Sequence, residues 1–253
     1  MNMTWTVGNT PRRAAAFVFA TLFALFPLLT GCDGKKASAH PRTRGTYLVL
    51  ILDETESFAD HWQESVRAAT AAVARLYPGD RLLVLGLDHH AWNEDDVLVS
   101  LTTLPYQSLL AVKEKARLVA RLKGLKPRPS SSGTLVNGRP RGTPRGTDTE
   151  GILDFASKLA EEPEGRRVIL GLFSDLNDEP RGVRTTRQNP NPFPSGTRFN
   201  ALYVDAGSGS QTVARIRRWE DTLRGVFGVD CTAQDFHLAS QSSAVDLLGR
   251  RGE

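Results

Sequence analysis

Tyr47-Leu48-Val49-Leu50-Ile51-Leu52, closed by Asp53, is the stretch that decides the fold. It is apolar at every position and lacks the inside-outside alternation of a strand with one wet face, so it reads as a strand covered on both sides. From Phe58 to Tyr77 the period changes: Phe58, Trp62, Val66, Ala69, Val73 and Leu76 recur at spacings of three and four, which predicts a helix stopped by Pro78-Gly79-Asp80. Arg81 to Leu87 predicts a second strand and Val97 to Leu101 a third, joined by a polar connection short enough for a hairpin-like turn.

Helices are expected at Gln107 to Leu122, Thr149 to Leu159 and Gln211 to Phe227. Further strands are expected at Arg167 to Phe173, Arg198 to Val204 and Gln234 to Leu238. Strands alternating with helices specify an α/β fold with a doubly wound, mostly parallel, Rossmann-like sheet and flanking helices. In such a sheet ligands bind at the carboxyl ends of the strands, where both Asp53 and Asp175 fall.

Working toward the amino terminus, the apolar run at residues 14–29 follows Arg12 and Arg13 and precedes Thr30-Gly31-Cys32, the pattern of a secretory signal. The run is shorter than the about 20 residues a membrane-crossing helix needs. Leu29-Thr30-Gly31-Cys32 resembles the lipobox of bacterial lipoproteins, which implies an acylated Cys32 as the mature amino terminus and membrane attachment through its lipid. Residues 1–31 are then the signal peptide, 32–45 a polar tether, 46–240 the folded domain and 241–253 a tail. The expected location is the periplasmic side of a bacterial envelope. Asp33 resembles an inner-membrane retention signal.

Of the two cysteines, Cys231 would have no partner within the chain, and it is expected to be a small buried residue. Two cysteines exclude a disulfide-rich scaffold and a cysteine-based zinc site. The formal net charge is +4, but setting aside Arg12 and Arg13 leaves 30 basic against 28 acidic residues, so the balance does not point to nucleic acid.

Asp53-Glu54-Thr55-Glu56-Ser57 has two readings by itself, because Asp, Ser and Thr also cap helices. Two more oxygen-rich loops change the balance: Gly146-Thr147-Asp148-Thr149, and Ser174-Asp175 at the end of a buried strand. Hydroxyls and carboxylates without soft ligands suit a hard divalent cation. The set resembles the metal-ion-dependent adhesion site of the von Willebrand factor A family, and the likeness runs from Thr46 to about Leu238.

That resemblance implies a metal site of Asp53, Thr55, Ser57, Thr147 and Asp175, holding magnesium, with manganese or calcium as alternatives. It implies binding without catalysis, a partner's acidic residue completing the cation's shell. Asp148 is either an acceptor behind these ligands or a helix cap. The sequence departs from the family in having Thr55 where serine is commoner and Leu176 where glycine is usual. A turn there with a positive φ would strain a leucine.

Lys123, Lys126, Arg128, Arg139, Arg141 and Arg145 precede Thr147, and Arg181, Arg184, Arg187 and Arg198 follow Asp175. They are expected either to rim the metal end, attracting an acidic or anionic partner, or to be solvated loops. Nucleic acid is not expected, since aromatic interleaving is missing. His89-His90 is not expected to bind metal. Two other classes stay open: an assembly protein with a degenerate metal site, and a metal-dependent phosphohydrolase, against which Thr55 stands where a second aspartate belongs.

Overall fold

The computed structural model describes residues 45–88, 96–126, 135–136, 139–140, 147–160, 165–177, 190–205 and 209–249. Cys32 with the signal segment and most of the tether, His89-His90, Asp178, Glu179 and the arginines at 128, 141, 145, 181, 184 and 187 lie outside them.

The stretch that opened the reading is β1, Thr46–Asp53, and every residue in it is buried. Its side chains alternate between two cores. Tyr47, Val49 and Ile51 enter one, and Leu48, Leu50 and Leu52 the other. Each such side chain removed from water contributes about 1.5–3 kcal/mol before chain entropy is subtracted, so this one strand anchors both layers.

β1 pairs in parallel with β2, Arg81–Leu87, on one side and with β6, Arg167–Phe173, on the other. β7, Arg198–Val204, and β8, Phe236–Leu238, extend the parallel sheet beyond β6, and β3, Val97–Thr103, adds antiparallel to β2. The order is β3-β2-β1-β6-β7-β8. This is the mixed, mostly parallel α/β arrangement expected from the sequence. β4, Leu135–Val136, and β5, Arg139–Pro140, form a small separate hairpin inside the Pro- and Gly-rich stretch that had been expected to be a loop.

Helices α1, Trp62–Ala74, and α2, Ser108–Lys123, supply the core that holds Leu48 and Leu50, through residues such as Trp62, Val73, Leu118 and Leu122. Helices α3, Thr149–Leu159, and α4, Gly209–Gly225, supply the opposite core through Ile152, Leu153, Ala156, Trp219 and Leu223. The helix expected from Phe58 to Tyr77 is shorter, because Glu56–His61 is a 3-10 helix and the α-helix ends at Ala74.

Residues beyond 240, expected to be a tail, are packed in part. A short helix α5, Ala239–Ser242, presents the Ser242 hydroxyl to the Tyr203 amide, which donates to it at 2.7 Å. Leu247 is buried over β6, where Gly171 leaves the space: a Cβ at 171 would lie 3.1 Å from a Leu50 methyl and 3.4 Å from one of Leu247.

Strand order reverses at β1, with β2 following on one side and β6 on the other. That makes the carboxyl ends of β1 and β6 the topological switch point, the usual place for a ligand in an open α/β sheet.

Candidate metal centre

β1 delivers Asp53 to the switch point almost wholly buried, at 1% exposure. The next amide, of Glu54, still donates to Leu87 of β2 at 2.9 Å, which holds the chain in line before it turns. Thr55 then occupies the N-cap position of the 3-10 helix with extended backbone angles, yet its side chain makes no capping bond. Its hydroxyl donates instead to Asp53 Oδ1 at 2.6 Å, and its amide donates to the same oxygen at 2.9 Å. The helix-capping reading of this motif therefore fails at Thr55. Ser57 Oγ stands 3.3 Å from Thr55 Oγ1, on an exposed residue.

β6 supplies the second part. Ser174 donates from Oγ to Asp53 Oδ2 at 2.6 Å and accepts from the Leu176 amide at 3.0 Å. Asp175 accepts the Asn177 amide at Oδ1, 2.8 Å, closing a local turn. The third loop joins through Thr147, whose hydroxyl donates to the Asn177 carbonyl at 2.6 Å. The adjacent Asp148 amide donates to the carbonyl of Asp88, at the end of β2. Asp148 caps α3, its Oδ1 accepting from the Gly151 amide at 3.0 Å.

Asp53, Thr55 and Ser57 thus touch in sequence, Ser174 bridges Asp53 to the β6 loop, and that loop holds Thr147. The sequence marked Ser174 only as part of an oxygen-rich loop and gave it no place among the site residues. A hydroxyl at the end of a wholly buried strand, one residue before a carboxylate, was the available signal. Arg215 of α4 is a second omission. Its guanidinium donates to the Asp175 carbonyl at 3.0 Å and lies 3.5 Å from the Asp205 carboxylate, which puts a described cation beside the cluster. No motif marked it, since it is one of several arginines on a polar helix.

Leu176 has φ 58° and is buried. Left-handed backbone costs an L-residue about 1–2 kcal/mol. Here it is held by three contacts: its amide on Ser174, the Trp219 indole N–H donating to its carbonyl at 3.3 Å, and its side chain in the core beside α3 and α4.

Burial pushes the Asp53 carboxyl up from 3.8 to about 7, with the nearby Asp175 charge adding to the rise and the bonds from Ser174 and Thr55 opposing it. Among the described residues no lysine or arginine bonds this carboxylate. A buried carboxylate without a cationic partner, ringed by hydroxyls, has the donor chemistry of a hard-cation site. Asp53 and Asp175 are the carboxylates joined to the hydroxyl cluster by hydrogen bonds of this turn, and among the described residues no group of three His, Cys, Asp or Glu side chains forms a metal cluster. Any cation here would be held by hydroxyls as much as by charge.

The fold and site together define a Rossmann-like α/β domain with an oxygen-donor cluster at its switch point. No family model matches the chain, and no curated protein matches it. Among solved structures it is similar to proximal thread matrix protein 1 from the mussel byssus, at 10% identity and a TM-score of 0.42, covering 79% of this chain and 44% of that one. It is also similar to the pilus adhesin SpaC from Lactobacillus rhamnosus GG in its open conformation, at 11% identity and a TM-score of 0.46, covering 80% of this chain and 29% of that one. The chain spans less than half the length of either structure.

Cys231, expected to be buried, is so, and burial raises its thiol to about 12. At neutral pH it is a packed thiol without nucleophilic character.

Proposed function

We propose that this is a lipid-tethered, von Willebrand factor A-like binding module of a bacterial envelope, exported to the periplasmic side. It holds a divalent cation, magnesium first, and uses it to engage an acidic residue of a protein partner. Asp53, Thr55, Ser57, Thr147 and Asp175 are the residues that would hold the ion, and Cys32 would carry the lipid. The cation supplies electrostatic attraction for a carboxylate. With much of its shell made of neutral hydroxyls, it would keep most of its charge for the partner.

The observation that carries this reading is the Thr55 hydroxyl. It turns away from helix capping and into a cluster that joins the ends of β1 and β6 to the Thr147 loop. The reading assigns the site no catalytic residue. Capture of partners by the full acylated chain from detergent-solubilised membranes tests it. Retention of a protein in magnesium and its release by chelator is the expected outcome. A partner set unchanged by chelator contradicts the reading.

One observation favours a second reading, an assembly role without metal: both Asp53 carboxylate oxygens already accept hydrogen bonds. Under it, partners are retained in chelator and Asp53→Ala leaves capture intact.

A further inference from the structure

Helix α2 has an outer face unlike that of a helix in water. Leu109, Val112, Ala116 and Ala120 fall along one line of the helix and all are exposed, Leu109 at 71% and Val112 at 60%. The buried line is a different one, Ala111, Leu118 and Leu122. Along one edge of the exposed line run Lys113, Arg117 and Arg121, and Lys123 closes its carboxyl end, all exposed, while the helix's one acid, Glu114, is turned further in, 3.9 Å from Arg117. An apolar stripe edged by cations is the pattern of a helix that lies in a bilayer interface. Tyr106, 61% exposed, precedes the stripe, and Leu110, 46% exposed, lies on its cationic side at the start of α2.

The place of this face in the fold matters as much as its composition. Asp80 accepts from the Thr46 amide at 2.8 Å and from the Tyr77 amide at 2.7 Å, and its carbonyl accepts from Leu104 at 2.8 Å. Tyr106 lies over Gly79, where an added Cβ would come within 2.5 Å of its ring. The start of α2 therefore sits at the amino end of β1, where the chain enters the domain at Gly45. Asp53 is at the other end of the same strand, about 25 Å away. Residues 33–45, fully extended, reach about 45 Å, so a lipid on Cys32 would keep this face within reach of the bilayer.

We propose that α2, with Tyr106, is a contact face for anionic phospholipid headgroups, and that it lays the domain on its own membrane. The membrane contact is peripheral. Among the described residues no helix is long and apolar enough to cross a membrane. Anionic lipid is favoured over a protein partner because the charges on this face share one sign and surround side chains suited to the acyl boundary. The proposal rests on the tethered reading of the chain, and its test separates the two.

The full chain is mixed with vesicles of phosphatidylcholine alone or with about a third phosphatidylglycerol, each doped with brominated lipid. An environment-sensitive dye is placed at Val112→Cys or, as a control at the metal end, at Asp60→Cys, and peptide mapping confirms the labelled position. Quenching at position 112 is expected to be about fivefold stronger with anionic vesicles, the effect of roughly one headgroup-paired cation. It should be lost in Lys113→Glu with Lys123→Glu, and absent at position 60. Equal quenching in both lipids, or quenching at 60 and not at 112, overturns the proposal.

Flotation reports the anchor separately. A chain that floats with neutral vesicles while position 112 stays unquenched with anionic ones supports the anchor and overturns the contact face. A chain that floats only with anionic vesicles and is quenched at 112 supports the face and overturns the anchor.

Discussion

Asp53 carries two linked consequences. Its raised carboxyl means that the metal-free folded state binds a proton more tightly than the unfolded chain. The stabilisation from that proton is complete below the ordinary 3.8 and is lost as pH rises through about 7. The span amounts to about 4 kcal/mol. Denaturant unfolding in chelator should therefore show wild type weakening between about pH 4 and 7, and Asp53→Asn weakening far less. In excess magnesium the slope should shrink or reverse for wild type alone, because the ion competes with the proton. Identical pH profiles for the two proteins would refute the burial argument. Ser174→Ala tests the bridge: it orphans the Leu176 amide and one Asp53 oxygen, an expected loss of about 1–3 kcal/mol in unfolding free energy. Ser174→Thr should recover most of it.

The β6 loop sets two element-scale effects against each other. Leu176→Gly would relieve about 1–2 kcal/mol of left-handed strain but remove a core side chain, at about 2–5 kcal/mol. Burial should win, giving a lower melting temperature. A rise instead would mean that leucine is tolerated here at a net cost. At the carboxyl-terminal segment, Leu247→Ala should destabilise by about 2–4 kcal/mol, because Gly171 beneath it cannot fill the gap.

These elements also show what could be read in advance. β2, β6, β7 and α3 have the expected bounds, and β1 runs one residue further at each end, because their apolar runs are near-continuous or strictly periodic and end at polar turns. Leu247 and Leu248 stand as a pair among polar residues, a local pattern indistinguishable from a tail. Only the groove left by Gly171 and the reach of α5 bring them in. Ser57, Thr55 and Asp53 were legible as a motif. The roles of Ser174 and Arg215 depend on which strands become neighbours, which local spacing does not encode, whereas the departure from glycine at Leu176 had already marked the position where φ is positive.

At the scale of the folded domain, β1 sets a polarity: chain entry and the start of α2 lie at its amino end, and the oxygen cluster at its carboxyl end. In the proposed tethered module, that separation would leave the cluster away from the point where the tether joins the domain. The central claim is that the carboxyl end holds a divalent cation. Calorimetric titration of the full chain in detergent with magnesium and with manganese, for wild type and Asp53→Ala, tests it most directly. The account predicts one ion bound per wild-type chain and none by a variant whose circular dichroism shows it folded. Absence of binding by wild type, or unchanged binding by Asp53→Ala, would contradict it.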